Sequence, residues 1–548
     1  MIKPDQTLLD NGVDAFLKNP LLDRHLADLC VSGLAAKPFR SVVIDHSAKR
    51  AELKGCKMLA VSLAFAEKWS KTLQGQKRVG VVFPSGAAGM ITNLALMCLD
   101  IVPVNLNFTA GRKALESSIS KAGVEIIITA APVIEKLTDF PWTDRIIDLV
   151  EEKKTLSKFS VVRKMLAGIA LPAFVLRKLY KIPTEGGDRE AGLLFSSGST
   201  GDPKGVPLSH RNIIGNSLQI EQSGILVSGY DVVMANLPIF HSFGFTITLW
   251  FSMICRVVMV TLPSPLETKR VAQVIEKERV TIMIGTPTFF RPYFKRVEPK
   301  QIASLRAVVG GAEKTPAGFH ELWEKRFGSR YLEGYGLTET TPVVSVNIPK
   351  FDFEDHHFTE RYRLGSVGPL FPGMAAQILD EVTLQPKPLL QRGILALKGV
   401  NVFNGYLDEP ETNKRVLRDG WFISGDLARF DENGYLYIEG RVSRFSKIAG
   451  EMVPHGTVEQ QILKAFHLED TEEPVFAVTG VTDPSKGESL VLLSAMEISS
   501  QVLREKLTEE GMPNLWIPRV IKKVDKIPAL ASGKLDLREI KRIANEQV

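Results

Sequence analysis

The chain has 548 residues, of which 44% are hydrophobic and 24% are charged, and its formal net charge is +6. This balance is typical of globular proteins and excludes collagen, coiled-coil and wholly disordered classes. A chain of this length buries most of its apolar surface without disulfides or metals. The small positive excess does not indicate a nucleic-acid-binding protein, although it suits an acidic partner.

The four cysteines are Cys30, Cys56, Cys98 and Cys255, and no pair has CxxC spacing. This pattern predicts neither a zinc site nor a disulfide framework, so we expect buried thiols in a reducing compartment. The first residues, MIKPDQTLLDNGVDAF, lack the apolar core of a secretory signal. The expected location is therefore the cytoplasm.

Short apolar runs bounded by turn residues alternate with helical patterns along most of the chain. The runs are RVGVVFPS (78–85), EIIITAA (125–131), VTIMIGTP (280–287), LRAVVGGAE (305–313) and YLEGYG (331–336). This alternation predicts an α/β fold of layered helices with mixed, partly parallel sheets. The uncharged runs 79–99 and 232–255 contain prolines, glycines and polar residues, so neither predicts a membrane span.

The segment 153–181 has eight basic and no acidic residues around the uncharged stretch MLAGIALPAFVL. Twelve uncharged residues are too few to span a bilayer, and Pro172 interrupts any single helix. Basic flanks around an apolar centre are typical of a segment that lies on an anionic membrane surface. A helix packed on the N-terminal part of the chain is the alternative, so peripheral contact with the inner face of the membrane is one of two expectations.

The C-terminal region is predicted to form a separate unit. Residues 430–450 indicate a strand hairpin with its turn at Asp431-Glu432-Asn433-Gly434. A helix from about Val458, strands near 475–478 and 489–496, and a helix from Ser500 follow. This second unit of roughly 100 residues has a normal domain size. We therefore expect domains at 1–440 and 441–548, with a hinge at about 441–447.

The strongest local motif is LLFSSGSTGDPKGVPLSH, residues 193–210. A strand leads into a loop of glycines and small hydroxyl residues, followed by Pro-Lys-Gly and a predicted helix. Small residues let backbone N–H groups approach phosphate oxygens, and the hydroxyls and a lysine add donors. It is not a Walker A loop, because GxxxxGK[ST] is absent. The predicted phosphate-binding residues, as opposed to a flexible connector, are Ser196, Ser197, Gly198, Ser199, Thr200, Gly201 and Lys204.

Five further motifs follow in order: GGAEK (310–314), GYGLTE (334–339), GWFISGD (420–426), GR (440–441) and SGKLD (532–536). Together with the phosphate loop, they resemble the adenylate-forming enzymes, which include acyl-CoA synthetases, luciferases and peptide-synthetase adenylation domains. The resemblance covers nearly the whole chain. It implies a large N-terminal domain that holds the nucleotide and the acid, and a small α+β C-terminal domain that rotates between two half-reactions.

The resemblance also implies the chemistry. A carboxylate attacks the α-phosphorus of ATP, pyrophosphate leaves, and the acyl group then passes from AMP to a thiol. Such a reaction depends on positioning and on neutralising phosphate charge. ATP and Mg²⁺ are therefore the expected cofactors, and a fatty acid of medium or long chain is the expected substrate.

Roles follow by matching residues to the family's motifs. Glu339 would bind Mg²⁺ together with Thr200, and Thr338 would contact the α-phosphate. Lys534 would bridge the substrate carboxylate and the α-phosphate in the adenylation step. Asp426 would accept both ribose hydroxyls. The remaining nucleotide-binding residues would be Gly311, Ala312, Glu313, Gly334, Tyr335 (stacked on adenine), Gly336 and Arg441.

The acyl pocket is expected near PIFHSFGFT (238–246) and GTPTFF (285–290). By the resemblance, His241 would gate the passage between the acyl pocket and the thiol tunnel. A satisfied core histidine is the alternative, since His241 lies between two phenylalanines. Phe240, Phe243 and Thr286 are the expected pocket walls.

The acceptor is predicted from RVSRFSKIAGEMVPHGTVEQ (441–460). Many acyl-CoA synthetases have Asp at the hinge position where this chain has Ser443. With KIAGEMV and FHSFG, the chain most resembles the acyl-ACP synthetase module of bacterial 2-acylglycerophosphoethanolamine acyltransferase/acyl-ACP synthetase proteins. Lys447 and Gly450 would then lie near the pantetheine arm. Acyl carrier protein is therefore the expected acceptor; the alternatives are coenzyme A, or a non-catalytic scaffold that binds lipid or nucleotide.

Carrier proteins are acidic, so a basic docking surface is expected. Ordinary solvated surface is the alternative. The candidate cations are Arg441, Arg444, Lys447, Lys522, Lys523 and Lys526.

Overall fold

The computed structural model describes the chain except residues 197–201, 354–355, 449–450, 469–470, 472, 484–486, 530–534 and 547–548. For residues 351–353, 356–358 and 452 it describes the backbone only. The strands of the described part are β1 Leu8–Asp10, β2 Ser41–Asp45, β3 Ala51–Lys54, β4 Arg78–Val81, β5 Val102–Asn105, β6 Ile126–Thr129, β7 Arg145–Asp148, β8 Glu190–Ser196, β9 Lys204–Ser209, β10 Val232–Met234, β11 Val258–Thr261, β12 Ile282–Gly285, β13 Ala307–Gly310, β14 Arg330–Gly336, β15 Val343–Val346, β16 Phe351–Phe353, β17 His356–Phe358, β18 Met374–Leu379, β19 Pro386–Lys387, β20 Gly393–Gly399, β21 Leu417–Arg418, β22 Trp421–Phe430, β23 Leu436–Arg441, β24 Phe445–Ile448, β25 Glu451–Pro454, β26 Phe476–Asp483, β27 Gly487–Ser494 and β28 Val520–Lys523.

The α-helices of the same part are α1 Val13–Leu17, α2 Leu26–Ala36, α3 Gly55–Thr72, α4 Ala87–Cys98, α5 Arg112–Ala122, α6 Ala131–Lys136, α7 Leu149–Lys154, α8 Lys158–Ala170, α9 Ala173–Tyr180, α10 His210–Ser223, α11 Ser252–Cys255, α12 Thr268–Glu278, α13 Pro287–Phe290, α14 Tyr293–Arg296, α15 Phe319–Phe327, α16 Pro410–Val416, α17 His455–Ala465, α18 Ser500–Glu509 and α19 Leu537–Asn545. A π-helical segment, Gly244–Phe251, leads directly into α11. Nowhere in the described chain does a helix have the length and apolarity that crossing a membrane requires.

The first sheet has the strand order β7-β6-β4-β5-β8-β9 and is parallel except for its last pair. Its strands β4 and β6 are the predicted apolar runs, and the run 79–99 forms β4, a turn and the buried helix α4, as predicted. The antiparallel β9 is a difference from the sequence analysis. We expected a helix directly after Pro-Lys-Gly, but the chain first returns along β8 and the helix begins at His210.

The second sheet has the order β15-β14-β13-β12-β10-β11-β2-β3. Its six inner strands are parallel, and only the edge strands β15 and β3 are antiparallel. Every residue of β12 and β13 is buried, which explains why these strands read as continuous apolar runs. The predicted α/β architecture with mixed, partly parallel sheets is therefore confirmed.

A third sheet, of order β1-β18-β20-β22-β21 with β19 and β23 at its sides, is antiparallel throughout. Strands β22 and β23 form the predicted hairpin, with Phe430 opposite Leu436. Gly434 in the turn has φ of +83°, a conformation that glycine adopts without strain. The hairpin ends at Arg441, whereas the sequence analysis extended it to residue 450.

The smaller C-terminal part is a separate α+β layer, as expected. Strands β25-β24-β27-β26 and β28 form one sheet, which packs with α17, α18 and α19 around its own apolar core. A single 3-10 turn, Val442–Arg444, connects it to β23. This turn lies inside the predicted hinge; the boundary at 440/441 and the rotation itself stay predictions.

All four cysteines are buried and unpaired, as expected from their spacing. The segment 153–181 forms α8 and α9, and Pro172 separates the two helices as predicted. Helix α8 packs on α3, and α9 packs on α2.

Two neighbouring histidines, with 4.0 Å between their ring centroids, cap the start of helix α2. The ring Nδ1 of His25 accepts a hydrogen bond from the Ala27 N–H at 3.2 Å, and that of His210 accepts from the Leu26 N–H at 3.0 Å. Both rings therefore carry their proton on Nε2, and His25 donates it to Asp100 at 3.1 Å. Since the helix uses both Nδ1 lone pairs, this His–Asp–His cluster is a structural cap and not a metal site.

Burial lowers the pKa of His25 to about 4, that of His210 to about 2, and that of His455 in the C-terminal domain to about 3. In the unfolded chain these rings bind a proton below about pH 6.5, while the folded rings stay neutral. As far as these histidines are concerned, the free energy of unfolding should therefore have its full value above about pH 6.5. It should fall as the pH decreases toward about 4, by up to about 1.4 kcal/mol per pH unit for each histidine.

Urea unfolding at about pH 7 and about pH 5 measures this loss. The variant H210N retains an acceptor for the Leu26 N–H but cannot titrate, so its stability should fall less between the two pH values. A parent protein that is equally stable at both pH values would contradict the assignment of neutral, buried rings.

Candidate active site

The carboxyl ends of four parallel strands lie side by side in the second sheet. Strands β10, β12, β13 and β14 are neighbours, so the segments that follow them meet at one edge. Open α/β sheets bind ligands at this edge. The segments that carry predicted site residues are 235–243, 286–290, 311–313 and 337–339.

Tyr335 and Arg441 both bind the carboxylate of Asp426. The Tyr335 hydroxyl donates to Asp426 Oδ2 at 2.5 Å, and Arg441 Nε donates to Oδ1 at 2.6 Å. Asp426 lies in β22 opposite Arg441 in the β22–β23 register, whereas Tyr335 lies in β14 of the second sheet. The structure thus brings three predicted nucleotide-binding residues from two sheets into one cluster.

The protonation of this cluster follows from its burial and charge. Burial raises the pKa of Tyr335 well above its usual value, and the charge of Asp426 adds to the effect, so the hydroxyl stays a donor. The Asp426 charge likewise raises the pKa of Arg441. A carboxylate has about four lone-pair sites, so Asp426 still has acceptor capacity beyond these two bonds.

Glu339 faces a tyrosine that the sequence analysis did not identify. The Tyr406 hydroxyl donates to Glu339 Oε1 at 2.7 Å. The Lys204 ammonium lies over the Tyr406 ring, 5.1 Å from its centroid. Tyr406 therefore contacts a cation of strand β9 through its ring and, through its hydroxyl, a carboxylate of the turn that follows β14.

The backbone around Tyr406 is fixed by hydrogen bonds. The Tyr406 N–H donates to the side chain of Asn413 at 2.7 Å, and that amide donates back to the Tyr406 carbonyl at 2.8 Å. Gly405, before it, has φ of +130°. The Phe403 N–H donates to the Glu339 carbonyl at 2.9 Å. In the sequence, the one local signal at Tyr406 is the Asn-Gly-Tyr turn before a helix. Such turns are too common to predict a functional residue.

The GYGLTE and PIFHSFGFT motifs touch each other. Thr338 Oγ1 donates to Ser242 Oγ at 3.5 Å, and Ser242 follows His241 directly. His241 is partly buried, and its Nδ1 accepts from the Phe243 N–H at 3.4 Å. The predicted gate residue and the predicted α-phosphate ligand therefore belong to adjoining loops.

The predicted pocket walls lie in the same region. The ring of Phe243 is 3.5 Å from the point that a Cβ on Gly311 would occupy. Phe240 packs edge-on against Phe108, with 5.0 Å between ring centroids. Thr286 is buried and caps α13, since its Oγ1 accepts from the Phe289 N–H at 3.3 Å. Thr286 therefore shapes the loop through its cap.

The predicted adenine-side residues divide into two groups. Ala312 has φ of +65°, and the Glu313 carboxylate turns toward Thr288, whose hydroxyl donates to it at 2.6 Å. Gly334 and Gly336 lie in the pairing of β14 with β15. A Cβ on Gly336 would lie 2.0 Å from the Pro342 carbonyl oxygen. Gly336 is therefore required for local packing.

Some predicted residues are not brought to this cluster. Lys447 lies on β24 of the C-terminal sheet, and its N–H donates to Glu488 at 2.7 Å. Ser196 ends β8 opposite Lys204, directly before the predicted phosphate-binding residues 197–201. Seven predicted residues lie outside the described residues: Ser197, Gly198, Ser199, Thr200, Gly201, Gly450 and Lys534.

Comparison with known families shows the family to which the chain belongs. The model of the AMP-binding enzyme family matches residues 62–407, more than half of the chain. The chain belongs to this family. The match spans the phosphate loop, GGAEK and GYGLTE, and it ends at Leu407 beside Tyr406.

Relatives of this AMP-binding enzyme extend the similarity over most of the chain. It is 26% identical over 496 residues to a long-chain-fatty-acid–CoA ligase of Bacillus subtilis, which covers 85% of this chain and 86% of that protein. A feruloyl-CoA synthase of Amycolatopsis is 27% identical over 479 residues, covering 85% of this chain and 88% of that protein.

Solved structures agree with this assignment. ATP-bound MatB from Rhodopseudomonas palustris superposes with a TM-score of 0.74 at 25% identity, covering 95% of this chain and 100% of that chain. The anthranilate CoA ligase AuaEII, in complex with anthranoyl-AMP, has a TM-score of 0.75 at 20% identity and covers 96% of this chain and 98% of its own. At that identity, AuaEII shows the fold alone.

In this AMP-binding enzyme, Tyr406 is predicted to be a positioning residue for Glu339. The variant Y406F removes one hydrogen bond to a charged group, which is worth about 1.5–3 kcal/mol. The rate of adenylate formation should therefore fall by about tenfold or more. The ring, and its contact with Lys204, remain in place.

Rates measured across a magnesium titration test this role, because weakened cation binding should raise the magnesium concentration needed for half-maximal rate. Y437F is the matched control, since it removes a hydroxyl whose hydrogen bond to Asp431 is long, at 3.5 Å, and leaves the ring in place under Arg429. Equal rates and equal magnesium dependence in Y406F and the parent would contradict the role.

Proposed function

We propose that this enzyme activates a fatty acid with ATP, forming an acyl-adenylate, and then transfers the acyl group to a thiol. The main support is that two clusters lie next to each other on β14 and the turn after it. One contains Tyr335 and suits a nucleoside, and the other contains Glu339 and suits phosphates. Tyr335 and Glu339 are four residues apart, and each is held by a partner from another part of the fold.

The nucleoside side is proposed to be formed by Asp426, Tyr335 and Arg441. Free lone pairs on Asp426 accept ribose hydroxyls, while Tyr335 and Arg441 hold the carboxylate in place. Because Asp426 is buried, its charge is weakly screened and orients donors strongly.

The phosphate side is proposed to be formed by Glu339 and Lys204 with the loop between β8 and β9. Glu339 uses Oε1 for Tyr406, and its second oxygen suits a hard cation such as Mg²⁺. When bound, Mg²⁺ neutralises phosphate charge as pyrophosphate leaves. Lys204 adds a cation of this chain to the same region.

We propose coenzyme A as the acceptor of the acyl group. This proposal differs from the expectation of the sequence analysis. The sequence analysis favoured acyl carrier protein, with coenzyme A as an alternative. Relatives that cover 85% or more of the chain are named long-chain-fatty-acid–CoA ligase and feruloyl-CoA synthase. Their similarity supports the alternative more than the first expectation.

The predicted docking cations also support this change. Four of the six pair with carboxylates of this chain, namely Arg441 with Asp426, Arg444 with Glu459, Lys523 with Glu497, and Lys526 with Glu473. Lys522 donates to the carbonyls of Ile543 and Glu546. Neutralised or internally engaged cations attract an acidic carrier weakly. Lys447, the KIAGEMV and FHSFG motifs and Ser443 remain as the support for acyl carrier protein.

Acceptor comparison with one enzyme preparation tests this choice. The purified chain is given ATP, Mg²⁺ and a ladder of fatty acids with either coenzyme A or phosphopantetheinylated acyl carrier protein, and AMP release is followed. We expect kcat/KM for coenzyme A to exceed that for the carrier by about tenfold or more, a difference of about 1.4 kcal/mol. The reverse preference overturns the acceptor.

Hydroxamate trapping of activated acid tests the remaining alternative, a non-catalytic scaffold. Hydroxylamine captures an acyl-adenylate without any thiol acceptor. Trapped product with at least one fatty acid is expected, and its absence with every acid would support the scaffold.

A further inference from the structure

The outer face of α8 is apolar and open to solvent. Phe159, Val162 and Leu166 are 78%, 47% and 57% exposed. Their spacing of three and four residues places them on one side of the helix. On a surface helix of a globular domain this side would be polar. Helix α8 therefore carries an apolar stripe on the side that its own fold does not cover.

The inner face of α8 carries one buried cation. Lys164 is only 1% exposed, and its ammonium bonds Glu67 at 2.5 Å and Ser160 at 2.8 Å. Gly168, on the same inner side, approaches Leu59 of α3 so closely that an added Cβ would lie 3.3 Å from it. The helix is thus anchored to α3, and this anchoring does not use the outward phenylalanine, valine or leucine.

Helix α9 continues the exposed apolar surface. Phe174 is 65% exposed and Leu179 is 56% exposed. Phe174 also lines an open depression of about 780 Å³ beside α2, together with Lys178 and Lys181. Apolar and cationic side chains are therefore neighbours on this helix.

Most cations of the segment lack carboxylate partners. Lys164 pairs with Glu67, Arg177 with Asp28, and Lys154 with Glu151. The other five have no carboxylate within salt-bridge distance among the described residues; they are Lys153, Lys158, Arg163, Lys178 and Lys181.

We propose that residues 153–181, here named the α8–α9 surface, bind an anionic lipid bilayer. Phe159, Leu166 and Phe174 enter the boundary between headgroups and acyl chains, and the unpaired cations contact lipid phosphates. A bilayer supplies both chemistries over a broad surface, and its negative charge complements a segment with eight basic and no acidic residues. This proposal goes beyond the proposed function, because such binding requires neither ATP nor fatty acid.

The sequence analysis left two interpretations of this segment open, a packed helix and a membrane-surface segment. The two interpretations concern different faces of α8. The inner face of α8 packs on α3 through Lys164 and Gly168. The outer face carries the exposed apolar residues, and packing of α8 on α3 does not bury them.

Vesicle flotation with the full-length protein, without ATP or acid, tests the proposal. We expect the protein to float with vesicles of phosphatidylcholine and phosphatidylglycerol, and not with phosphatidylcholine alone. Raising the salt from about 50 mM to about 500 mM should release most of it, because screening weakens contacts of exposed charges. Absence of flotation with the anionic vesicles, or equal flotation with neutral ones, overturns the proposal.

Paired variants locate the binding on the α8–α9 surface. The double variant F159S/L166S should lower the partition coefficient for anionic vesicles by about tenfold or more, because two large apolar side chains that the bilayer would bury are replaced by serine. The matched control L322S/V382S removes two apolar side chains that are 59% and 81% exposed elsewhere, and it should bind as the parent does. Circular dichroism confirms that each variant is folded. Parent-like binding by F159S/L166S, or equal loss in the control, overturns the assignment.

Discussion

The variant E339Q should form acyl-adenylate on the order of 10³ times more slowly than the parent protein. Glutamine keeps the size of the side chain and can still accept the Tyr406 hydroxyl, which lies 2.7 Å from Oε1. What it loses is the negative charge that we propose for cation binding. Hydroxamate formation at saturating ATP, measured across a magnesium titration, gives the rate.

E411Q is the matched control for this variant. Glu411 lies on α16, is 82% exposed in its side chain, and pairs with Lys414 at the surface. It carries the same change of charge and should leave the rate within about twofold, as surface substitutions usually do. Parent-like rates in E339Q at every magnesium concentration would contradict the role of Glu339.

The variant K534A should slow adenylation by about 10² to 10³, the usual effect of removing one electrostatic stabiliser of a transition state. Lys534 lies outside the described residues, so this prediction rests on the ASGKLD motif and its family resemblance. Transfer from a chemically prepared acyl-adenylate to coenzyme A should survive, because the substrate carboxylate is already joined to the α-phosphate in that intermediate and no longer needs the proposed lysine bridge.

K541A is the control within the same domain. Lys541 lies on α19, a few residues after Lys534, and its side chain is exposed. Measuring both half-reactions for both variants separates a catalytic effect from a folding defect. Equal loss of the two half-reactions in K534A would contradict a role confined to adenylation.

The elements that sequence predicted best are those whose signal is local. Continuous apolar runs such as Ile282–Gly285 and Ala307–Gly310 predict buried strands because both faces of a parallel sheet are covered. The turn before Gly434 predicts its hairpin because only a few residue types adopt positive φ. Both predictions need no knowledge of distant parts of the chain.

The features that sequence missed depend on distant partners. Strand β9 is polar in part and forms only because β8 offers it a register from Glu190 to Ser196. Tyr406 gains its significance from Glu339, which is 67 residues away in sequence. Neither pairing is visible in local composition, so each required the structure.

The candidate site shows the same division. The motifs predicted Asp426, Tyr335 and Glu339, and their order along the chain predicted the family. The bonds among them were not predictable, since Tyr335 and Asp426 are 91 residues apart and lie in different sheets. Their contact also changes the expected picture of Tyr335, whose hydroxyl is engaged by Asp426 in addition to any stacking of its ring.

Exchange of labelled pyrophosphate into ATP tests the central claim most directly, because it requires reversible formation of an acyl-adenylate and no acceptor. With the purified protein, Mg²⁺ and a ladder of fatty acids, label should enter ATP only when an acid is present, and E339Q should show almost none. If no acid supports exchange above the acid-free rate, this chain does not form an adenylate and the proposed function is wrong.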